Sequence, residues 1–409
     1  MRVLIVTQYF WPEDFRINDL AVGLQELGYK VTIMTGKPNY PGGSFYPGYG
    51  FLRKSREDFQ GMEVIRAPLF PRGDGGKLRL ILNYFSFALF ACLIAPFSCR
   101  GKYDLIFVYE PSPVTVGLPA LLLKKIKKAP IMFWVQDLWP ESLSATGAVN
   151  SKLMLHLVEN MVRFIYRGCD SILVQSKAFS PSVEKLGVES KRICYFPNSA
   201  EELYQPAAAR EDRPELTGVP AGFRIMFAGN IGAAQDFPTI IEAASLLRDY
   251  PDIHWIIVGE GRMLPWVKNE VGKRNLGNTV HFLGRHPVEL MPAFFSCAQS
   301  MLVTLRKEPI FALTIPAKIQ SYMACGRPII AALDGEGARV ITEAGAGFTC
   351  PAEDPEALAK AALHMYNTSA AGREDMGRRS REFFEKHFER SLLLKQLDGW
   401  IKTRRQEGG

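Results

Sequence analysis

Thr314, Pro316 and Lys318 sit together on a loop that runs into a short helical segment, which Gly326 halts before an apolar run at 328–331. A lysine gathered with a helix N-terminus and loop amides is the chemistry that holds a diphosphate. An ordinary loop, helix and strand with a solvated lysine fits the same pattern. Two glycine turns, Gly229-Asn230-Ile231-Gly232 and Gly259-Glu260-Gly261, each follow an apolar run. Such turns let a backbone approach a phosphate closely and offer it N–H donors. Asp137 follows a third apolar run, 131–135, at the carboxyl end of an expected strand, where parallel sheets bind ligands. It serves equally well as the N-cap of a helix after Pro140.

These residues need a scaffold of repeated strand, glycine loop and helix. The chain opens with a strand at 3–7, an amphipathic helix through Leu20, Leu24 and Leu27 that stops at Gly28, and a strand at 30–35. This predicts a parallel sheet with a right-handed crossover. The first loop lacks G-x-G-x-x-G, so the dehydrogenase fingerprint is missing. Residues 36–60 are dense in Gly, Pro and Tyr and predict a long functional or mobile loop. There Arg53, Lys54 and Arg56, with Arg16 upstream, would suit a phosphate-bearing acceptor or simply a solvated surface. Strands are expected at 63–66, 104–109, 131–135 and 171–175. A polar stretch at 201–222 reads as a linker. The pattern then restarts, with strands at 224–228, 254–258, 280–283, 300–304 and 328–331 and a helix at 238–247. Beyond Asp354 the expectation is helical, ending in an amphipathic helix.

The 409 residues fit two domains of about 200 residues each. With 47% apolar and 22% charged residues the chain is globular, and its formal charge of +7 suits an anionic partner such as a nucleotide or lipid headgroup. No basic block suggests a nucleic-acid arm; Lys124-Lys125-Ile126-Lys127-Lys128 reads as the end of an exposed helix. Seven cysteines without a C-x-x-C pair argue against a disulfide framework and a zinc site and point to a reducing cytosol. No signal peptide is evident. Residues 80–97 carry no charge and lie between Lys77, Arg79, Arg100 and Lys102. Spanning a bilayer, contacting it and filling a domain core all remain open for this segment.

The run Met323-Ala324-Cys325-Gly326-Arg327-Pro328-Ile329-Ile330 resembles the signature of retaining family-four glycosyltransferases, and further matches follow the family's order along almost the whole chain. The resemblance implies a GT-B fold of α/β class: two Rossmann-like domains whose parallel sheets face across a cleft, with a C-terminal helix returning to the first domain. The boundaries would be 1–200 for the acceptor domain, 201–385 for the nucleotide-sugar domain and 386–409 for the returning helix. It implies donor contacts at Gly229, Asn230, Gly232, Gly259, Gly284, Arg285, His286, Thr314, Pro316, Ala317, Lys318, Ser321 and Glu336. Two glutamates that the family usually carries are replaced here by Leu313 and Ser321, and Glu308-Pro309 lies five residues too early. One branch with the same departure builds bacterial surface polysaccharides and includes N-acetyl-L-fucosamine transferases. That branch shares the runs Tyr9 to Glu13, Asp137 to Ser142, Pro316 to Lys318 and Asp334 to Ala338.

Transfer from a nucleotide sugar builds negative charge on the departing diphosphate, which positioned cations and N–H dipoles stabilise. No D-x-D motif is present to hold a metal. The expectation is therefore a metal-independent reaction in which Lys318, the glycine loop and a helix end take the charge. Asp137, or in second place Glu13, would orient or deprotonate the acceptor hydroxyl. A UDP-sugar donor, a lipid-linked saccharide acceptor and a cytoplasmic enzyme on the inner membrane are expected, with no cofactor and no nucleic acid. Two rival readings are an epimerase of the same fold and a silent partner of a membrane enzyme.

Overall fold

The computed structural model describes the chain except residues 146–148, 150, 208–215, 217 and 409, with side chains as far as residue 404. It divides into two units, Met1–Pro197 with Leu393–Gly409, and Asn198–Leu392. The first contains β1 (Arg2–Val6), α1 (Arg16–Glu26), β2 (Lys30–Gly36), β3 (Arg56–Phe59), β4 (Met62–Ala67), α2 (Lys77–Ser98), β5 (Leu105–Glu110), α3 (Gly117–Lys127), β6 (Ile131–Val135), α4 (Glu141–Ala145), α5 (Lys152–Gly168), β7 (Ser171–Val174), α6 (Ser180–Lys185) and β8 (Ile193–Tyr195). The second contains β9 (Phe223–Ala228), α7 (Phe237–Leu246), β10 (Ile253–Val258), α8 (Leu264–Lys273), β11 (Val280–Gly284), α9 (Met291–Cys297), β12 (Ser300–Thr304), α10 (Pro309–Ala312), α11 (Ala317–Ala324), β13 (Ile329–Ala332), α12 (Glu336–Ala344), β14 (Gly347–Cys350), α13 (Pro355–Asn367) and α14 (Ala370–His387). The last helix, α15 (Arg390–Gly408), begins in the second unit and returns to the first.

In unit 1 the sheet order is β3-β4-β2-β1-β5-β6-β7-β8, parallel throughout except for β3. Strands covered on both faces read as continuous apolar runs, which is why β1, β5 and β6 were legible. One face packs Val3, Ile5, Phe107 and Trp134 under α1 and α15. Side chains alternate across a strand, so Phe133 points the other way, where its ring meets Tyr166 of α5 at 5.5 Å. α2, α3 and α5 lie side by side on that second face. The stretch 36–60 is not loop to its end: Arg56–Phe59 forms an antiparallel edge strand with β4 through a tight turn, in which Gln60 and Gly61 have φ of +52° and +82°. Its charged sequence carries no apolar alternation, so it gave no strand signal.

Unit 2 has a fully parallel sheet of order β11-β10-β9-β12-β13-β14. The helix at 370–387 belongs here, because Arg381 donates to the Ala324 carbonyl at the end of α11. The returning segment therefore starts at Leu393 rather than 386. Of the stretch expected to be a linker, 201–222, residues 208–215 and 217 lie outside the described residues.

α15 closes unit 1 through Leu393, Leu394, Leu397 and Ile401, all buried. Leu397→Ala is expected to cost about 2–5 kcal/mol, read as a lower thermal midpoint of unit 1 by circular dichroism.

Candidate active site

In unit 2 the centre is Lys318, the second residue of α11. Part of its stem is accessible, but Nζ is shut off from solvent and has no hydrogen-bond partner among the described residues. It sits 3.8 Å from the centroid of the Phe227 ring, and a Cβ placed on Gly229 would lie 3.5 Å from it. Burial lowers its pKa to about 7, because nothing replaces the lost hydration of the ammonium. Four residues on, and on the same helix face, the Tyr322 hydroxyl accepts from the Ala228 amide at 3.1 Å and donates to the Ala228 carbonyl at 3.2 Å. α11 thus pins the end of β9 and hangs an amine beside the loop that follows.

That loop works differently from expectation. Gly229 donates its amide to the Val258 carbonyl, Ile231 to Glu260 and Gly232 to the Gln235 side chain. These amides are engaged within the protein, so the glycines serve close approach. Gly259, at φ +143°, would put a Cβ 1.9 Å from the Gly229 carbonyl oxygen, and its own amide donates to Gly284. Three successive strand ends are therefore laced together by backbone, leaving Gly229 and Asn230 exposed beside Lys318.

Several expected donor contacts have their polar atoms directed elsewhere. Thr314 donates its hydroxyl to Ile310 and Ser321 to Ala317, each back into its own helical turn. Glu336 opens α12 and pairs both carboxylate oxygens with Arg339. His286 contacts the Leu283 carbonyl at 2.9 Å and stacks near Phe294, while Arg285 is exposed. Pro316 caps α11 without a side-chain bond and Ala317 begins it; the Ile319 amide donates back to the Pro316 carbonyl, and the Ala317 and Lys318 amides precede it at the helix start. Gly337 lets α12 pack beneath them, since a Cβ there would meet Pro316 at 3.2 Å.

Unit 1 carries acids in place of an amine. Asp137 follows β6 and accepts from Trp139 Nε1 at 3.2 Å, and the nearby Ser142 and Ser112 side chains also favour its anion. It caps no helix, as α4 begins four residues later. Burial raises its pKa to about 6. Next to it lies a residue that the sequence reading missed: Glu110, the last residue of β5, is fully buried. Neither of its carboxyl oxygens reaches hydrogen-bond geometry, although the Gln136 and Asp137 amides draw its pKa down. Burial, and then the Asp137 charge, push it well above the ordinary range. An acid ending an apolar strand at the same sheet edge as Asp137 was the available signal. Glu13 is also buried. Its Oε1 accepts from the Asn39 and Tyr40 amides at 2.7 and 2.8 Å, its Oε2 has no partner, and burial raises it to about 7.

The basic residues expected to meet an acceptor are largely neutralised. Arg56 pairs with Glu63 across the β3–β4 hairpin, and Lys54 pairs with Glu57 at 3.2 Å and lies over Tyr49. The Arg53 carbonyl accepts from Lys37. Arg16 opens α1. A cation missed in the sequence, Arg72, donates to the Tyr9 hydroxyl at 3.0 Å and faces the Tyr40 ring. Among the described residues no group of three or more His, Cys, Asp or Glu side chains is placed to hold a metal ion.

Residues 222–368 match the family described as Glycosyl transferases group 1, and residues 15–199 match the Glycosyl transferase 4-like domain. The probable glycosyltransferase WbjE of Pseudomonas aeruginosa is 26% identical over 71% of this chain and 73% of its own length. The putative colanic acid biosynthesis glycosyl transferase WcaI of Escherichia coli K12 is 25% identical over 80% and 82%. Among solved structures, Anabaena HepE in complex with UDP superposes with a TM-score of 0.69 at 15% identity, over 98% of this chain and all of that one. Two parallel-sheet units, strand-end loops laced around one buried amine, and these matches lead to one conclusion: the chain is a glycosyltransferase with the GT-B fold, whose residues 222–368 are similar to the group 1 family.

Proposed function

We propose that this enzyme moves a sugar, with retention, from a UDP-sugar to a lipid-linked saccharide during assembly of a bacterial surface polysaccharide such as O-antigen, capsule or exopolysaccharide. The observation that carries the donor half is the partnerless Lys318 amine beside Gly229. A diphosphate placed there would supply the missing counter-charge, and the α11 amides would add their dipole. The UDP bound in HepE supports that choice of nucleotide. WcaI's putative role in colanic acid biosynthesis supports the polysaccharide setting. UDP-N-acetyl-L-fucosamine is the first donor to try, given the runs shared with that branch.

As the diphosphate departs, charge grows on the β-phosphate oxygen that held the sugar, and Lys318, protonated in the complex, neutralises it without a divalent ion. Asp137 accepts the proton of the attacking acceptor hydroxyl. Glu110 stays protonated behind it, so that only one of the two carboxyls carries charge. Glu13 braces the Asn39–Tyr40 loop. The enzyme works at the cytoplasmic face of the inner membrane, where such acceptors are carried.

Free Lys318 loses its proton as pH rises through about 7, whereas the bound diphosphate favours the ammonium. UDP binding is thus expected to take up a proton, and Kd for UDP should rise by up to roughly tenfold per pH unit above 7. The terminal phosphate itself has finished titrating by then. Calorimetry in buffers of different ionisation enthalpy reads this directly, and in Lys318→Met the proton uptake should vanish. The same variant should lose about 10²–10³ in kcat; full turnover in it would remove the phosphate cradle from this site.

Asp137→Asn is expected to lower kcat by about 10²–10⁴ while leaving UDP affinity unchanged. Glu110→Gln, which imitates a protonated carboxyl, should keep most of the turnover. Equal losses in both would show that Glu110 ionises in the working enzyme.

A further inference from the structure

α2 is built inside out. Its inward stripe, toward the rest of unit 1, carries Asn83, Phe87, Ala91 and Ala95, mostly small or polar. Its outward stripe carries Leu78, Leu82, Phe85, Leu89, Leu93 and Phe97, recurring every three or four residues, with Leu78 70% and Phe97 78% exposed. A helix made only for water has the reverse arrangement. The neighbouring layer helix α5 repeats the feature in its first half, where Leu153, Met154 and Leu157 are exposed, and again at Phe164. Ile126 on α3, between them, is exposed as well. Twelve of the 21 exposed large apolar side chains of the described residues lie on these three helices. That concentration exceeds the scattered apolar exposure of an ordinary surface.

Charge identifies the occupant. From Gly75 to Tyr103 the chain holds Lys77, Arg79, Arg100 and Lys102, at the two ends of α2, and no acid. The C-terminal end of α3 adds exposed Lys125 and Lys128. A second copy of the chain seated on this face would bring cations against cations. A lipid leaflet rich in anionic headgroups brings phosphates to them and an acyl boundary to the leucines and phenylalanines.

We infer that the outer face of the α2–α3–α5 layer is a docking surface for an anionic phospholipid leaflet, with α2 and α5 lying in the plane of the interface. This deepens the membrane part of the proposed function by assigning it a surface.

The test uses the full chain with vesicles of phosphatidylcholine alone and of phosphatidylcholine mixed with phosphatidylglycerol. Sedimentation with the mixed vesicles is expected, weakened by salt and much reduced without the anionic lipid. Leu89→Glu with Leu93→Glu on α2, and separately Leu157→Glu with Phe164→Glu on α5, should each reduce partitioning by roughly tenfold or more. Both double variants should keep the UDP-induced thermal shift of the parent, which shows that they fold. Unchanged partitioning of the α5 variant would overturn the three-helix surface. So would a dimer that the glutamates dissociate in place of vesicle binding. Vesicle binding that persists while no lipid-linked acceptor is glycosylated would count against the acceptor reading and leave this surface standing.

Discussion

The second unit depends on tolerating one buried amine without a partner. Removing an ammonium from water is costly, and a neighbouring carboxylate is the usual remedy. Here the amine lies over the Phe227 ring beside Gly229 with no hydrogen-bond partner among the described residues, and its proton is held so loosely that the pKa falls to about 7. An acid at that point would stabilise the free protein and also occupy the place of the ligand. The surrounding construction is rigid where the amine is not satisfied. Tyr322 fixes the end of β9, Gly259 locks onto Gly229, and Gly337 lets α12 support the start of α11. The local cost is borne by packing, as is usual where a site is made ready for a charge that arrives from outside.

Unit 1 applies the same physics with the opposite sign. Glu110, Asp137 and Glu13 are carboxyls taken out of water, and all three bind protons more tightly than free acids. They differ in what surrounds them. Asp137 accepts from Trp139 and has the Ser142 and Ser112 side chains near enough to favour its anion, whereas the oxygens of Glu110 reach no donor in bonding geometry among the described residues. Of two acids on adjacent strands, the better-solvated one ionises first, and its charge then holds the proton on the other. The proposed roles of Asp137 as base and Glu110 as its neutral neighbour rest on this ordering.

The scaffold was legible because buried parallel strands are nearly continuous apolar runs, and those of β1, β6, β9 and β12 announce themselves. The charged edge strand β3 and the short β8 and β14 carry no such signal. Lys318 could be singled out from its loop, but its lack of a partner could not, since that depends on where Phe227 and Gly229 lie. The glycine turn was read both as a close approach and as a source of N–H donors, and the engagement of its Gly229 and Ile231 amides with the end of β10 was not legible, because only the fold brings that end near. Arg56 and Lys54 looked available until the hairpin set Glu63 and Glu57 against them. Glu110 went unnoticed because an acid ending a strand is unremarkable until its oxygens prove to have no donor in reach.

Length and composition leave α2 free to cross a bilayer, and only its contacts decide. Asn83 is fully buried; it accepts from Gln8 at 2.7 Å and donates to the Phe70 carbonyl at 2.7 Å. Ser86 accepts from the Phe70 amide. These bonds tie α2 to the loop after β1 and to the chain after β4, and the helix also packs along α3. Pulling it across a membrane would strand Gln8 and the Phe70 backbone and strip a layer from the sheet, each with its own penalty. Its inward side therefore belongs to the domain. The leucines and phenylalanines on its other side are exposed, so the lipid contact inferred for α2 runs along the face of the helix and not through its length.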